Sequence, residues 1–327
     1  MKITAVISFI VALCLLIIPF CGMKKANGGA VETLALTADV PYYETDPDNK
    51  PVLGAARAFR IKTESGIEEI DVNEYVFGVV AAEMSASAPA EALKAQAVAA
   101  YSFALYRSAA RKEQEYDITD SFKTDQSFIK KEKLKEKWGE NYDAYAEKIN
   151  KAITEVKGEY LSYDGAVALA LYHAVSPGRT NSCKEVFGGD KPYLVPVESE
   201  CDKLSPDYKS VFSLSEDELK GKLSALAAAS GEGNLFSDIK TGDSGLVLTL
   251  RYCGETFSGT KVAGLLGLSS AAFSIEYAGG AYTFTCIGRG HGVGMSQYGA
   301  KYLAEGGSTY REILLKYYPG TAIKKSS

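Results

Sequence analysis

Histidine, tryptophan and paired cysteines are scarce in this chain of 327 residues, which has two histidines and one tryptophan. Its six cysteines form no CxxC pair, and with so few histidines the spacing does not favour a dedicated zinc site. A formal net charge of −5 argues against a nucleic-acid partner and gives no reason to expect a strongly anionic ligand. The chain also lacks an internal repeat and a phosphate-binding glycine loop with its lysine, so neither a repeat protein nor a P-loop nucleotide site is indicated.

One long hydrophobic run is present, from Ile3 to Phe20. A run of about 18 apolar residues suffices to span a bilayer, exceeds the usual signal-peptide core and is followed by no evident cleavage pattern. We therefore predict an uncleaved transmembrane anchor over residues 1–23. Residues 24–55, largely rich in Pro, Asp, Asn, Gly and Thr, are predicted to form a spacer. Residues 56–322 are long enough to bury a substantial core, as one large domain or two coupled ones.

The remaining pattern predicts an α+β fold, with helices packed on irregular antiparallel sheets, because helices and hairpins alternate without regularity. The principal expected elements are a hairpin turn at Asp164-Gly165, a buried strand from Val167 to Tyr172 that delivers His173, a helix capped at Ser215, a short helix within Phe257 to Leu268, a hairpin from Phe273 to Ile287, and final helices over Tyr298 to Glu305 and Tyr310 to Tyr317.

Four cysteines lie outside the apolar run. A Cys183–Cys201 disulfide is one possibility if the domain is exported. Cys253 and Cys286 lie in strand-like runs, and buried thiols are the simpler account of them.

Glu83 is an anomaly within a predicted pair of helices between Asp71 and Tyr106. It ends the apolar stretch from Gly78 to Ala82, where the first helix stops. A carboxyl group there should be partly desolvated, which raises its pKa and makes a protonated general acid feasible near neutral pH. The alternative is a surface glutamate at a helix end.

The segment from Gly288 to Tyr298 has glycine at four alternate positions, followed by Ser296 and Gln297. Glycine at this density indicates positive φ or a close approach of the backbone. Both a tight turn and a ligand-contacting loop around His291 are consistent with it.

Together these segments resemble the stage II sporulation protein D family, the cell-wall lytic transglycosylases that include the amidase-enhancer domain. The resemblance covers roughly Arg57 to Thr321. It is carried by four ordered motifs: Tyr75 to Met84 with Glu91 to Ala100, His173 to Thr180 with Val186 to Leu194, Gly290 to Ala300, and Tyr317 to Gly320.

The resemblance implies a set of site residues. Glu83 would be the catalytic acid and base, and Lys94 would orient it or a sugar acyl group. Tyr101 stands where the family usually has an arginine, and its ring can stack on a sugar. The groups that would supply hydrogen bonds to the glycan are His173, Ser176, Thr180, His291, Ser296 and Gln297. The resemblance also implies that some members bind zinc through two cysteines and a histidine. The corresponding residues here are Thr119, Thr124 and Asp125, which do not form that set of ligands, so we expect neither a metal nor another cofactor.

The resemblance also implies a function. The expected activity is cleavage of MurNAc-β-1,4-GlcNAc bonds in peptide-denuded glycan strands, with a 1,6-anhydro product, in the engulfment stage of sporulation. The expected setting is the cell membrane with the domain outside the cytoplasm, and the expected partner is a cell-wall amidase similar to stage II sporulation protein P. The alternative is a non-catalytic glycan-binding module that enhances a partner N-acetylmuramoyl-L-alanine amidase. A Ser-His hydrolase lacks a nucleophile elbow and an orienting acid in this sequence.

Overall fold

A computed structural model of the chain describes residues 58–121, 123–226 and 234–326. The predicted anchor at residues 1–23 and the spacer at 24–55 lie outside these residues. No helix in the described ranges is long and apolar enough to cross a bilayer. All of the described residues belong to one compact unit of the chain.

Nine α-helices lie in the described ranges, among them the six predicted in the sequence analysis. They are α1 (Val72–Glu83), α2 (Ala90–Ala110), α3 (Lys131–Trp138), α4 (Tyr142–Glu155), α5 (Cys183–Phe187), α6 (Glu216–Leu223), α7 (Gly259–Leu266), α8 (Gln297–Glu305) and α9 (Tyr310–Tyr317), with 3₁₀ turns at Gly139–Asn141 and Glu200–Leu204. Asp71 caps α1 by accepting from the backbone N–H groups of Asn73 and Glu74. A capping box at Ser215 and Glu218 begins α6, as the sequence predicts.

The strands are short. They are β1 (Ala58–Thr63), β2 (Gly66–Asp71), β3 (Ile118–Thr119), β4 (Glu159–Tyr163), β5 (Ala166–Val167), β6 (Tyr172–His173), β7 (Lys209–Ser215), β8 (Phe236–Thr241), β9 (Val247–Tyr252), β10 (Glu255–Ser258), β11 (Phe273–Ala278), β12 (Ala281–Ile287), β13 (Met295–Ser296) and β14 (Ala322–Lys325). They pair in the orders β2-β1-β3, β10-β9-β8, β11-β12-β7, β13-β6 and β14-β4-β5. Most pairs are antiparallel, but β1 with β3 and β13 with β6 are parallel. The mixed α+β class with small antiparallel sheets is therefore confirmed.

Helix α2 lies at the centre of the larger hydrophobic cluster. Its many alanines let α1, α4, α8 and α9 pack against it, and side chains such as Leu93 and Tyr317 are fully buried there. A second cluster, which includes Leu250 and Phe284, lies among the strands and helices from α6 to β12. The larger cluster contains the end of α1 and the start of α8, so it positions the candidate site.

One predicted strand is wrong in extent. Only Ala166–Val167 and Tyr172–His173 are strand residues, although residues 168–171 between them are all buried. Backbone pairing continues only at the two ends, where the Ala168 N–H donates to the Leu161 carbonyl and the Leu171 carbonyl accepts from the Met295 N–H. Between them, the Leu169 N–H donates to the Tyr193 hydroxyl. A continuous apolar run thus indicates burial here, while a tyrosine hydroxyl takes the place of a neighbouring strand in the middle of the run.

The cysteines in the described ranges are free thiols, so Cys183 and Cys201 form no disulfide. Cys286 is buried as predicted, and burial raises the pKa of its thiol. The prediction of a buried thiol is wrong for Cys253, which is half-buried in the turn between β9 and β10 with φ of 51°.

Candidate active site

Glu83 lies at the last position of α1, where the chain leaves the helix at Met84. Its Oε1 accepts from the backbone N–H of Ser127 at 2.9 Å, and its Oε2 accepts from Gln297 Nε2 at 3.3 Å. Burial raises the pKa of the Glu83 carboxyl, while the hydrogen bonds from Ser127 and Gln297 act in the opposite direction. The carboxyl group is therefore held in place by two donors in an environment that favours its protonated form.

A cavity of about 80 Å³ opens beside this carboxyl group. It is lined by Glu83, Phe103, Asp125, Gln126, Leu171, Tyr172, His173, Ala174, Gly290, His291 and Gln297. Four of the nine predicted site residues, Glu83, His173, His291 and Gln297, thus meet at one place although they are far apart in sequence.

His173 is the most informative side chain of this cavity apart from Glu83. It is 2% exposed, and its Nδ1 lies 3.1 Å from the Val293 carbonyl oxygen. Since a carbonyl only accepts, we assign the proton to Nδ1, which leaves a lone pair on Nε2. Burial lowers the pKa of His173 to about 4, and Nε2 has no hydrogen-bond partner among the described residues. An unpartnered buried acceptor beside a cavity is suited to a donor group of a ligand.

His291 is held by its own loop. Its Nδ1 accepts from the backbone N–H of Val293 at 3.0 Å, and its ring packs on Phe187 at 5.3 Å between centroids. Burial, and then the neighbouring His173, lower the pKa of His291 to about 3. Both rings are therefore neutral at physiological pH.

The glycine-rich loop needs its glycines for contacts within the protein. Gly288, Gly290, Gly292 and Gly294 all have positive φ, between 74° and 95°. A Cβ atom at Gly294 would lie 2.0 Å from the Leu171 carbonyl oxygen, and one at Gly292 would lie 2.4 Å from Asn181 Nδ2. Of the four, only Gly290 lines the cavity. The loop is a tight turn that packs on the 171–181 segment and brings His291 to the cavity, while its contact with a ligand stays a prediction.

Three predicted glycan-binding hydroxyls lie elsewhere. Ser176, Thr180 and Ser296 are fully buried and do not line the cavity. Their groups bond within the protein: Thr180 Oγ1 donates to the Val195 carbonyl, and Ser296 Oγ donates to Asp202 Oδ1 at 2.8 Å. The structure therefore gives these side chains a role in holding loops.

Asp202 joins two of those loops and was missed by sequence reasoning. Its Oδ2 accepts from the Ser176 backbone N–H at 2.8 Å, while its Oδ1 accepts from Ser296 at the start of α8. Burial raises the pKa of its carboxyl group. The residue lies in a 3₁₀ turn outside every quoted motif, so no sequence signal identified it.

Lys94 and Tyr101 also lie away from the cavity. Lys94 Nζ pairs with Glu91 Oε1 at 2.7 Å and with Glu155 Oε2 at 2.5 Å, which ties α2 to α4. Tyr101 is 6% exposed and lines a separate cavity of about 620 Å³ beside Lys157. The structure does not bring either residue to Glu83.

The three residues at the places where the resemblance suggested comparing with a zinc site bond within the protein. The side chain of Asp125 is 0% exposed and pairs with Arg107 and Arg111. The hydroxyls of Thr119 and Thr124 lie 2.9 Å apart. No cluster of potential metal ligands occurs in the ranges that the structure describes.

Comparison with known proteins gives a consistent result. A family model described as "Stage II sporulation protein" matches residues 61–163. The chain is 34% identical to stage II sporulation protein D of Bacillus subtilis (strain 168) over 322 residues, which is 95% of this chain and 91% of the relative. It is 35% identical to stage II sporulation protein D of Bacillus amyloliquefaciens over 289 residues, 88% of this chain and 81% of the relative.

A further similarity is to the amidase enhancer of Bacillus subtilis (strain 168). It amounts to 27% identity over 301 residues and covers 75% of this chain but 40% of that protein.

Proposed function

Because the chain belongs to the stage II sporulation protein D family, we propose that it is a lytic transglycosylase acting on peptidoglycan. The substrate would be a glycan strand whose stem peptides have been removed, cleaved at the MurNAc-β-1,4-GlcNAc bond. The observation that carries the proposal is the environment of Glu83, whose pKa burial raises beside an open cavity.

Glu83 is the one carboxyl group at the cavity that has no cationic partner in the described residues. The other carboxyl there, Asp125, is held between Arg107 and Arg111. Glycosidases that use water usually need two carboxyl groups, one as acid and one as nucleophile or base. A single protonatable carboxyl instead suits a reaction in which the sugar supplies its own nucleophile.

In the proposed reaction, protonated Glu83 donates its proton to the glycosidic oxygen as the bond from that oxygen to the anomeric carbon breaks. The C6 hydroxyl of the muramic sugar attacks the anomeric carbon, so no water is consumed. The Glu83 carboxylate then takes the hydroxyl proton and returns to its starting state. Ser127 N–H and Gln297 Nε2 hold the carboxyl group and stabilise the carboxylate between the two proton transfers.

His173 would bind the sugar as an acceptor. Its unpartnered Nε2 can accept from a hydroxyl or an acetamido N–H, and being neutral it adds no charge that would stabilise the carboxylate form of Glu83. His291 lines the same cavity. The predicted anchor of residues 1–23 would keep the domain at the cell membrane and outside the cytoplasm, where glycan strands are found.

A second function is favoured by the similarity to the amidase enhancer. In this alternative the domain binds glycan and stimulates a cell-wall amidase, and Glu83 contributes a hydrogen bond to the sugar without transferring a proton. A partner amidase is compatible with both functions, because an amidase that removes stem peptides would make the substrate of the transglycosylase.

One experiment separates the two. The full-length protein and its Glu83→Gln variant are incubated with peptide-free glycan strands, and separately with intact sacculi and a purified cell-wall amidase. Catalysis predicts soluble glycan fragments with the wild type alone. Equal stimulation of the amidase by both proteins, with no fragments from either, would favour the enhancer function. Glu91→Gln is the control, because Glu91 pairs with Lys94 and does not line the cavity.

A further inference from the structure

Both carboxylate oxygens of Asp125 accept hydrogen bonds within the protein. Its Oδ1 accepts from Arg107 Nε at 2.6 Å, and its Oδ2 accepts from Arg111 Nη1 at 2.8 Å. Arg107 lies in the last turn of α2, and Arg111, four residues further on, is the residue that caps the end of that helix. The backbone N–H and the hydroxyl of Thr119 donate to Oδ2 at 2.8 Å and 2.9 Å. A buried carboxylate is tolerated only when its oxygens are matched in this way, and such matching fixes its position.

The residues that follow Asp125 transmit this position to Glu83. Gln126 Nε2 donates to the Tyr75 hydroxyl at 2.9 Å, and Gln126 Oε1 accepts from the Tyr172 hydroxyl at 2.7 Å. The next residue, Ser127, donates its backbone N–H to Glu83 Oε1 at 2.9 Å. Only one residue, Gln126, therefore separates Asp125 of the ion cluster from the donor to the carboxyl group.

The same segment is pressed onto α1. Phe128 stacks on Tyr75 with 5.4 Å between centroids, and the Ile129 N–H donates to the Gly78 carbonyl. A Cβ atom at Gly78 would lie 2.4 Å from Phe128 Cε2, so glycine permits the close crossing. Segment 125–129 is thus fixed at one end by charge and at the other by packing.

We propose that the buried ion cluster of Arg107, Asp125 and Arg111 is a positioning device for the catalytic carboxyl group. It holds segment 125–129 in the register at which the Ser127 amide donates to Glu83. Asp125 lines the cavity, but both of its oxygens accept hydrogen bonds within the protein, so it acts through Ser127. The inference rests on the proposed function only in taking Glu83 as the acid.

The direct readout is the Ser127 amide. Full-length protein labelled with ¹⁵N-serine is titrated with acid and followed by NMR, and the Ser127 signal is assigned by its loss in Ser127→Ala. Other groups near the cavity titrate elsewhere. Burial and then His173 lower the pKa of His291 to about 3, and burial lowers the pKa of His173 to about 4. Burial raises the pKa values of the Tyr75 and Tyr172 hydroxyls. A titration of Ser127 above that of the histidines, absent in Glu83→Gln, therefore reports the Glu83 contact.

Asp125→Asn is the test variant and Asp117→Asn is its control. The Asp117 side chain pairs with Arg60 at 2.8 Å and accepts from Ser108. Asp117 meets the cluster through its backbone carbonyl, which accepts from Arg111 and is kept in the variant. We expect Asp125→Asn to lose at least half of the amplitude of the Ser127 titration. We also expect kcat to fall at least fivefold with KM within twofold, and the alkaline limb of the pH profile to move to higher pH. Asp117→Asn should retain the wild-type values.

A merely structural cluster would give a different result. Wild-type titration of Ser127 in Asp125→Asn, with an unshifted pH profile, would overturn the proposal. If Asp125→Asn does not fold, Thr119→Val removes one donor to Asp125, keeps both arginines and should give a smaller change in the same direction. If the wild type does not cleave glycan, the proposed function fails, while the NMR titration still decides whether the cluster positions Ser127.

Discussion

The side-chain amide of Gln297 donates to Glu83 Oε2 at 3.3 Å, which joins the start of α8 to the end of α1 across 214 residues. The same carboxyl group accepts from the Ser127 amide on its other oxygen. Three distant segments thus converge on one carboxyl group, and the pKa of that group is the property on which the account depends.

The first prediction concerns stability. The pKa of Glu83 in the folded protein is raised above its value of about 4.3 in the unfolded chain. The folded state is therefore favoured while Glu83 is protonated, and this contribution to the free energy of unfolding is lost as the pH rises through the folded pKa. Glu83→Gln should therefore have a higher melting temperature than the wild type near pH 7.5, by a few degrees, since about 1 kcal/mol corresponds to roughly 2–4 °C in a domain of this size.

The difference should shrink as the pH falls to about 4. Glu91→Gln should not share the gain, because Glu91 pairs with Lys94 and accepts from the Tyr310 N–H. Thermal unfolding of the three proteins across this pH range is the measurement. A lower melting temperature of Glu83→Gln at neutral pH would show that the carboxylate is not disfavoured.

The second prediction concerns pH and activity. The hydrogen bond from Gln297 lowers the pKa of Glu83, so Gln297→Leu should raise that pKa further. Because the acid must be protonated, the alkaline limb of kcat/KM should move to higher pH, while kcat falls because the carboxylate loses a donor. Gln114→Leu, at an exposed position, is the control. A limb that stays in place would mean that Gln297 does not act on Glu83.

The third prediction concerns the unpartnered nitrogen of His173. His173→Leu should lower kcat/KM at least tenfold, which is about 1.4 kcal/mol, because it removes the acceptor at Nε2. The variant also loses the Nδ1 donor to the Val293 carbonyl, so its melting temperature should fall by a few degrees, and activity is compared at a temperature where all the proteins are folded. His173→Gln can place an amide oxygen near that position, so its kcat/KM should lie between the values of the wild type and His173→Leu. Equal activity of all three proteins would remove His173 from the site.

The fourth prediction concerns the glycine-rich loop. Gly294 and Gly279 both have positive φ, of 74° and 58°, but a Cβ atom at Gly279 meets nothing within 4 Å. Gly279→Ala should lower the free energy of unfolding by about 1–2 kcal/mol, the cost of alanine in this conformation. Gly294→Ala should lower the free energy of unfolding by roughly 3 kcal/mol or more, because its Cβ atom would also meet the Leu171 carbonyl. Similar unfolding free energies of the two variants in urea would contradict the packing described for this loop.

Local sequence signals predicted the helices and turns well. The two helices around Glu83, the capping box at Ser215 and the hairpin from Phe273 to Ile287 are confirmed because each is set by residues close together in sequence. The strand from Val167 to Tyr172 was predicted too long, because in its middle the Leu169 N–H donates to the hydroxyl of the distant Tyr193 and not to a neighbouring strand. No periodicity reports such partners.

The candidate site was recovered in part for the same reason. Residue type and motif position identified Glu83 and Gln297, but they could not show that Lys94 pairs with Glu91 and Glu155. Ser127 donates its backbone N–H to Glu83, a group that every residue except proline carries, so its residue type gave no signal for this contact. Asp202 and Asp125 act through contacts that form only in the folded chain.

The most direct test of the account is the chemical nature of the new chain end. Full-length protein is incubated with peptide-free glycan strands, and the fragments are analysed by mass spectrometry. The account predicts 1,6-anhydro ends, each lighter by one water than a reducing end, formed by the wild type and by Glu91→Gln. With Glu83→Gln, the rate of their formation should fall by about two to four powers of ten. Reducing ends from the wild type, or 1,6-anhydro ends formed at the wild-type rate by Glu83→Gln, would contradict it.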